Sequence, residues 1–218
     1  MEYGVCGDKK RSISEKGKED LKAIIGQENI SFVYRREMTE NEAYYKIQIK
    51  TDKGNYLLKN GLDWFDNCFA GGDWLPHFDI EALSDDVNPF ENSKESKLIV
   101  ITLDEKVVDI LLLRDTANVF KGDKHWQNID SSEGIIFVTE KRQLGFFKDT
   151  MWLDSTINIY EGKNVVEMAE GLKKHLDIFG WPFRAKCERF LISLNDGSEK
   201  KLDTAEEIGE KIEEEPEI

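Results

Sequence analysis

Residues 62 to 79, LDWFDNCFAGGDWLPHFD, gather two Trp, three Phe, four Asp, a Cys and a His into one stretch. Nucleophilic, metal-assisted and recognition sites are all built from these residue types. Cys68 precedes His77 by nine residues and would be the obvious thiolate and base. A reactive thiol, however, needs an electropositive, partly exposed niche. Residues 61 to 95 hold nine acids and a single Lys, and neighbouring carboxylates raise a thiol's pKa instead of lowering it. Nucleophilic chemistry at Cys68 is therefore disfavoured, and no catalytic residue is assigned.

Metal chemistry fares little better. His77, His125 and His175 show no HxH, HxxxH or HExxH spacing, and Cys6, Cys68 and Cys187 form no CxxC knuckle. His125, in KGDKHWQN, reads as a loop residue. Carboxylates carry a stronger alternative, because a hard cation needs only one or two of them with water, and nucleases add a Lys that orients the attacking water. Asp104-Glu105-Lys106 and Glu199-Lys200-Lys201 each place an acid two before a Lys. They motivate a metal-dependent nuclease or hydrolase as the second reading, although a solvated turn explains both. Neither GxGxxG nor GxxxxGK[ST] nor GxSxG occurs. No cofactor and no metal ligand set are expected.

Charge is more informative than any motif. The formal net charge is −14, and it is concentrated in two blocks. Residues 61 to 95 carry a net of −8 and residues 203 to 218 a net of −7, leaving the remainder at +1. Such a field repels nucleic-acid phosphate and attracts basic surfaces, including those of nucleic-acid-binding proteins. Direct nucleic-acid binding is disfavoured, since the basic clusters KKR (9 to 11) and RR (35 to 36) are short. The longest apolar runs, LIVITL and VVDILLL, fall well short of the ~20 residues that span a bilayer, and the N-terminus lacks the plan of a secretory signal. A cytoplasmic protein with reduced thiols and no membrane partner is expected.

The elements that must position these residues are mostly strands. ISFVYR (30 to 35), YYKIQIK (44 to 50) and YLLK (56 to 59) carry alternating or β-branched residues, with a turn at Gly54. KLIVITL, GIIFVTE and STINIYEG add further strand candidates, and KVVDILLL fits a strand or a helix, being apolar on nearly all sides. CERFLISLNDGSEKKLDT reads as strand, Asn195-Asp196-Gly197 turn and strand. Helices are expected over 12 to 26, with a Ser cap and a weakening Gly17, and over 164 to 180, from an Asn164 cap to a stop at Gly180. A short C-terminal helix is expected from the Thr204/Glu207 capping box. The fold class is thus mixed α+β, mainly antiparallel sheet with a few packed helices. Residues 1 to 202 form one domain, with a subdivision conceivable near 84 to 96, and 203 to 218 form an acidic helix and tail.

Within that frame the opening stretch divides. NGLDWFDNCFAGG suits a short helix capped by Asn60, with Trp64, Phe65 and Phe69 docking on the sheet; DWLPHFD turns at Pro76; and IEAL (80 to 83) suits another short helix. Aromatics beside carboxylates suit an interface, the rings supplying buried area and the acids steering a basic partner. Asp63, Asp66, Asp73, Trp74, His77, Phe78 and Asp79 form the candidate partner-binding set, with Trp74 and Phe78 as exposed anchors. The leading expectation is an acidic interaction module, such as an inhibitor, an immunity-type or an anti-defence protein. A subunit of a larger complex is a third possibility.

Overall fold

A computed structural model describes residues 9–35, 46–65, 73–90, 98–148, 157–172 and 183–208. It contains two sheets, and the expected predominance of antiparallel strands is found. Strands β1 (Lys9–Arg11), β7 (Val107–Lys121), β8 (Lys124–Thr139), β9 (Gln143–Lys148), β10 (Ile157–Gly162), β11 (Phe183–Ser193) and β12 (Glu199–Ile208) make one sheet in the order β10-β9-β8-β7-β11-β12. β1 joins it by pairing parallel to β8. Strands β2 (Ile30–Arg35), β3 (Lys46–Thr51), β4 (Gly54–Phe65), β5 (Asp73–Leu83) and β6 (Leu98–Leu103) make the other, ordered β5-β4-β3-β2-β6.

Period-two alternation decides what each face does. In the smaller sheet Phe32, Ile47, Ile49, Leu58, Phe78 and Ile80 are buried, and they share one apolar cluster with Ile110, Leu112, Ile135, Phe137 and Phe146 of the larger sheet. The sheets are therefore stacked face to face over a common core. On the other face of the larger sheet, Leu113, Ile136, Phe147 and Leu191 pack under Val165 and Ala169 of helix α2 (Val165–Glu170).

Helix α1 (Glu15–Lys22) forms as its sequence suggests: Ser14 is the N-cap, its Oγ accepting from Gly17 N at 3.0 Å, with Glu15 in the first turn and Lys22 in the last. Gly17 has a tertiary role as well. A Cβ there would lie 2.8 Å from Cγ2 of both Ile13 and Ile80, so the glycine lets α1 approach β5. Beyond the helix Gly26, at φ +88°, turns the chain so that its N–H donates to the Val107 carbonyl at the head of β7.

Four expectations are corrected. The helix of 164 to 180 is not found as such: α2 stops at Glu170, where Gly171 and Leu172 donate to carbonyls three residues back, tightening and ending the turn. Residues 173–180 lie outside the described residues. Asn164 precedes α2 but makes no side-chain cap; Gln143 Oε1 accepts from Val166 N at 3.0 Å instead. The capping box Thr204/Glu207 lies in β12, where pairing with β11 runs as far as Ala185↔Ile208, so no helix occupies 204 to 208. Finally, 60–65 and 73–83 are strands, paired continuously from Asn55↔Leu83 to Phe65↔Asp73, where two short helices and a Pro turn are expected. Cross-strand pairing overrides the local helical spacing. Pro76 is tolerated because β5 is an edge strand. Among the described residues no helix is long and apolar enough to cross a membrane.

Candidate functional site

The β4–β5 ribbon places the sequence-predicted residues on two opposite sets of positions. Asp63, Asp73, His77 and Asp79 occupy one set of alternating register positions, shared with Lys59 and Glu81. Trp74, directly opposite Trp64, belongs to the other set, with Tyr56, Leu58, Phe78 and Ile80. Phe78 is fully buried in the shared core, so it is a packing residue and no exposed anchor. His77 and Asp79 are half-buried, and Asp79 Oδ1 accepts from Ile80 N at 2.9 Å. Asp66, like Cys68, lies outside the described residues. The surface around this set is mixed in sign, since β3 contributes exposed Lys46 and Lys50, and Lys59 Nζ lies 3.0 Å from Glu81 Oε2. Exposed Asp85 and Asp86 continue the acidic edge beyond β5, with Asn55 Nδ2 donating to Asp85 Oδ1 at 2.8 Å.

The acid-x-Lys triplets are engaged in ion pairs. Glu105 pairs with Arg142 at 3.3 Å, Glu199 with Arg114 at 3.6 Å, Lys200 with Glu170 at 3.2 Å and Lys201 with Glu188 at 2.7 Å. Among the described residues no group of three or more His, Cys, Asp or Glu is arranged to hold a metal ion. His125 sits in β8, not in a loop, and its ring meets Asn128 Oδ1 at 2.8 Å and Phe120 edge-on.

The larger sheet holds a charged cluster that the sequence reading misses. Arg189, Asp115, Ser131 and Arg11 are direct cross-strand neighbours on β11, β7, β8 and β1. Arg189 and Asp115 are at most 1% exposed, and Nε and Nη2 of the guanidinium donate to the two carboxylate oxygens at 2.7 and 2.8 Å. Nη1 also donates to the Ala169 carbonyl at 3.1 Å and to that of Leu172, so a buried cation satisfies the C-terminal end of α2. Beside this pair a bulge sets Leu113 opposite Gly134 and Arg114 opposite Ser132, leaving Glu133 as the extra residue. Glu133 accepts from Lys148 Nζ at 2.9 Å, and Lys148 also donates to Ser131 Oγ at 2.9 Å.

Burial pushes the Lys148 amine down to about 8, with Glu133 opposing that shift and Arg11 adding to it. A Lys amine beside a Ser hydroxyl is the pairing used by Ser–Lys hydrolases. Here the hydroxyl is 1% exposed and the amine is held by a buried carboxylate, which makes the group a clamp where β9 ends and β1 takes over the edge of β8. A cleft of about 130 Å³ opens nearby, between Ser12, Lys18 and Arg114. Its cations are neutralised internally, Arg114 by Asp130 at 2.8 and 2.9 Å and Lys18 by Glu15 at 2.9 Å.

Two signals could have revealed this cluster. Asp115 continues the alternation Leu111, Leu113, Asp115, Ala117, Val119, and Arg189 continues Ala185, Cys187, Arg189, Leu191. Opposite charges at inward positions of two strands imply a buried pair. The two-residue Gly122-Asp123 turn, with Gly122 at φ +58°, would have extended KVVDILLL and GIIFVTE into one long hairpin. The chain matches no family model, no curated protein and no solved structure.

Proposed function

We propose that this chain is an acidic protein-interaction module that binds a basic, nucleic-acid-binding partner in the cytoplasm, in the manner of an inhibitor, an immunity-type or an anti-defence protein. One observation carries the reading: acids of both sequence blocks lie on edge strands, Asp73, Asp79 and Glu81 on β5 and Asp203, Glu206 and Glu207 on β12. Charge alone is a known way to keep an edge strand from pairing, but one or two charged residues or a proline suffice for that. Strand β5 carries Asp73, Asp79 and Glu81 in addition to Pro76, more than that purpose needs. An edge also offers its charges to a partner at close range, unobstructed by neighbouring strands. Asp63, Asp73 and Asp79 are the residues we assign to this surface, with Glu81 beside them; Phe78 is buried in the core.

The test uses a labelled Lys/Arg-rich peptide as the basic probe, with binding followed by fluorescence anisotropy at low and at physiological salt. Association should weaken steeply with salt. Replacing Asp73, Asp79 and Glu81 by Asn, Asn and Gln should reduce affinity about tenfold, whereas neutralising Glu15, Glu19 and Glu28 on the α1 side should change it far less. Equal losses in the two triple variants would reduce the effect to net charge and sink the edge as a recognition surface.

A further inference from the structure

Of the strands that end the two sheets, β6 is built differently. Edge strand β5 carries Pro76, Asp79 and Glu81; β12 carries Lys200, Lys201 and Asp203; β10 carries Glu161. Strand β6, LIVITL, has neither charge nor proline, pairs among the described strands with β2 alone, and exposes Leu98 by 46% and Val100 by 57%. Its other face belongs to the core through Ile101 and Leu103. Natural edges are blunted by the devices that β6 lacks.

We propose that β6 is the self-association edge of this protein: two copies pair their β6 strands antiparallel about a two-fold axis at Ile99, joining two five-stranded sheets into one of ten strands. The backbone sets the register. Arg142 Nη2 donates to the Thr102 carbonyl at 2.6 Å, so that carbonyl is turned outward from the sheet and already occupied. With a period of two, the amide and carbonyl groups of Val100 and Leu98 face the same open edge. Pairing Leu98 with Val100 of the second copy, and the reverse, satisfies both residues and leaves Thr102 to Arg142. It also sets the four exposed apolar side chains side by side, extended inward by Val33, which is opposite Val100 on β2.

The charge distribution selects a second copy as the occupant. A partner recruited by charge is drawn to the acidic edges, while an uncharged edge is matched by its own image. β5 lies at the opposite end of the sheet, four strand spacings or about 19 Å from β6. Two copies joined at β6 therefore hold their β5 edges about 43 Å apart, several times the roughly 8 Å screening length at physiological salt. The described acids of the two β5 strands are thus held beyond each other's screening length.

Sedimentation equilibrium of the full chain tests the proposal. The weight-average mass should rise reversibly with concentration from 25.2 kDa toward twice that value, and added salt should leave the dimer intact or strengthen it. Val100→Lys and Leu98→Lys should each raise the dimer dissociation constant at least about tenfold with unchanged circular dichroism. Val87→Lys, at an apolar residue exposed by 44% elsewhere, should leave it unchanged. A 25.2 kDa species at every concentration, or a dimer that survives both β6 substitutions, overturns the proposal. So does slow amide exchange at Leu98 and Val100 under monomeric conditions, which would show that the same chain covers the edge. Because the peptide-binding test concerns β5, either result stands without the other.

Discussion

Arg189 shows how far a single side chain can tie a fold together. It is the largest fully buried side chain among the described residues; it closes a two-pronged pair with Asp115 and binds two carbonyls at the end of α2. Removing one member of such a pair strands a buried charge, at a cost of about 3–5 kcal/mol. Arg189→Ala should therefore lower unfolding free energy by that order in a denaturant titration. Arg189→Met combined with Asp115→Leu, which removes both charges, should recover most of the loss. Arg189→Lys should not rescue, because an ammonium cannot span both carboxylate oxygens and the two helix carbonyls. A double variant as unstable as the single one would mean that the helix carbonyls, not the ion pair, set the cost. Residue types in this cluster were legible along the chain, but its neighbours come from strands 74 positions apart. The aromatic block misled for a related reason: Trp64 and Cys68, or Phe65 and Phe69, are spaced for a helix face, while Leu62, Trp64 and Phe65 also fit a strand.

At the scale of elements, strands were read more reliably than helices. ISFVYR, KIQIK, LIVITL and the Asn195-Asp196-Gly197 turn stand where strand-favouring residues and turn chemistry put them, Gly197 at φ +75° and Ser198 N–H on Asp196 Oδ1 at 2.8 Å, while VVDILLL, equally suited to a helix by its apolar run, is strand β7. The helices depend on what they touch. Gly17 looks in sequence like a defect in α1, since Ala would favour the helix by about 1 kcal/mol. Its Cβ position is filled on two sides by isoleucine methyls at 2.8 Å. Gly17→Ala should thus destabilise by about 1–3 kcal/mol, overpacking outweighing propensity, as a lowered melting temperature would show. A raised melting temperature would mean that α1 can lift from β5 at little cost.

At the scale of the whole molecule, one apolar cluster draws on both sheets. The two sheets should therefore unfold together. Ile49→Ala in the smaller sheet and Phe137→Ala in the larger should each cost about 2–5 kcal/mol and shift one common transition, seen alike by circular dichroism and tryptophan fluorescence. Two separated transitions, each moved by a single variant, would contradict the shared core. The strand-rich class, the turns and the two acidic blocks are legible along the chain, because alternation, turn residues and charge are properties of a few neighbouring positions. The strand order of the fold puts Asp79 and Glu81 on an edge strand, turns Phe78 inward, leaves β6 with β2 as its one partner among the described strands and brings Asp115 to Arg189. Each of these depends on which strand lies next to which, and strand order is set by burying a common core, not by any local pattern.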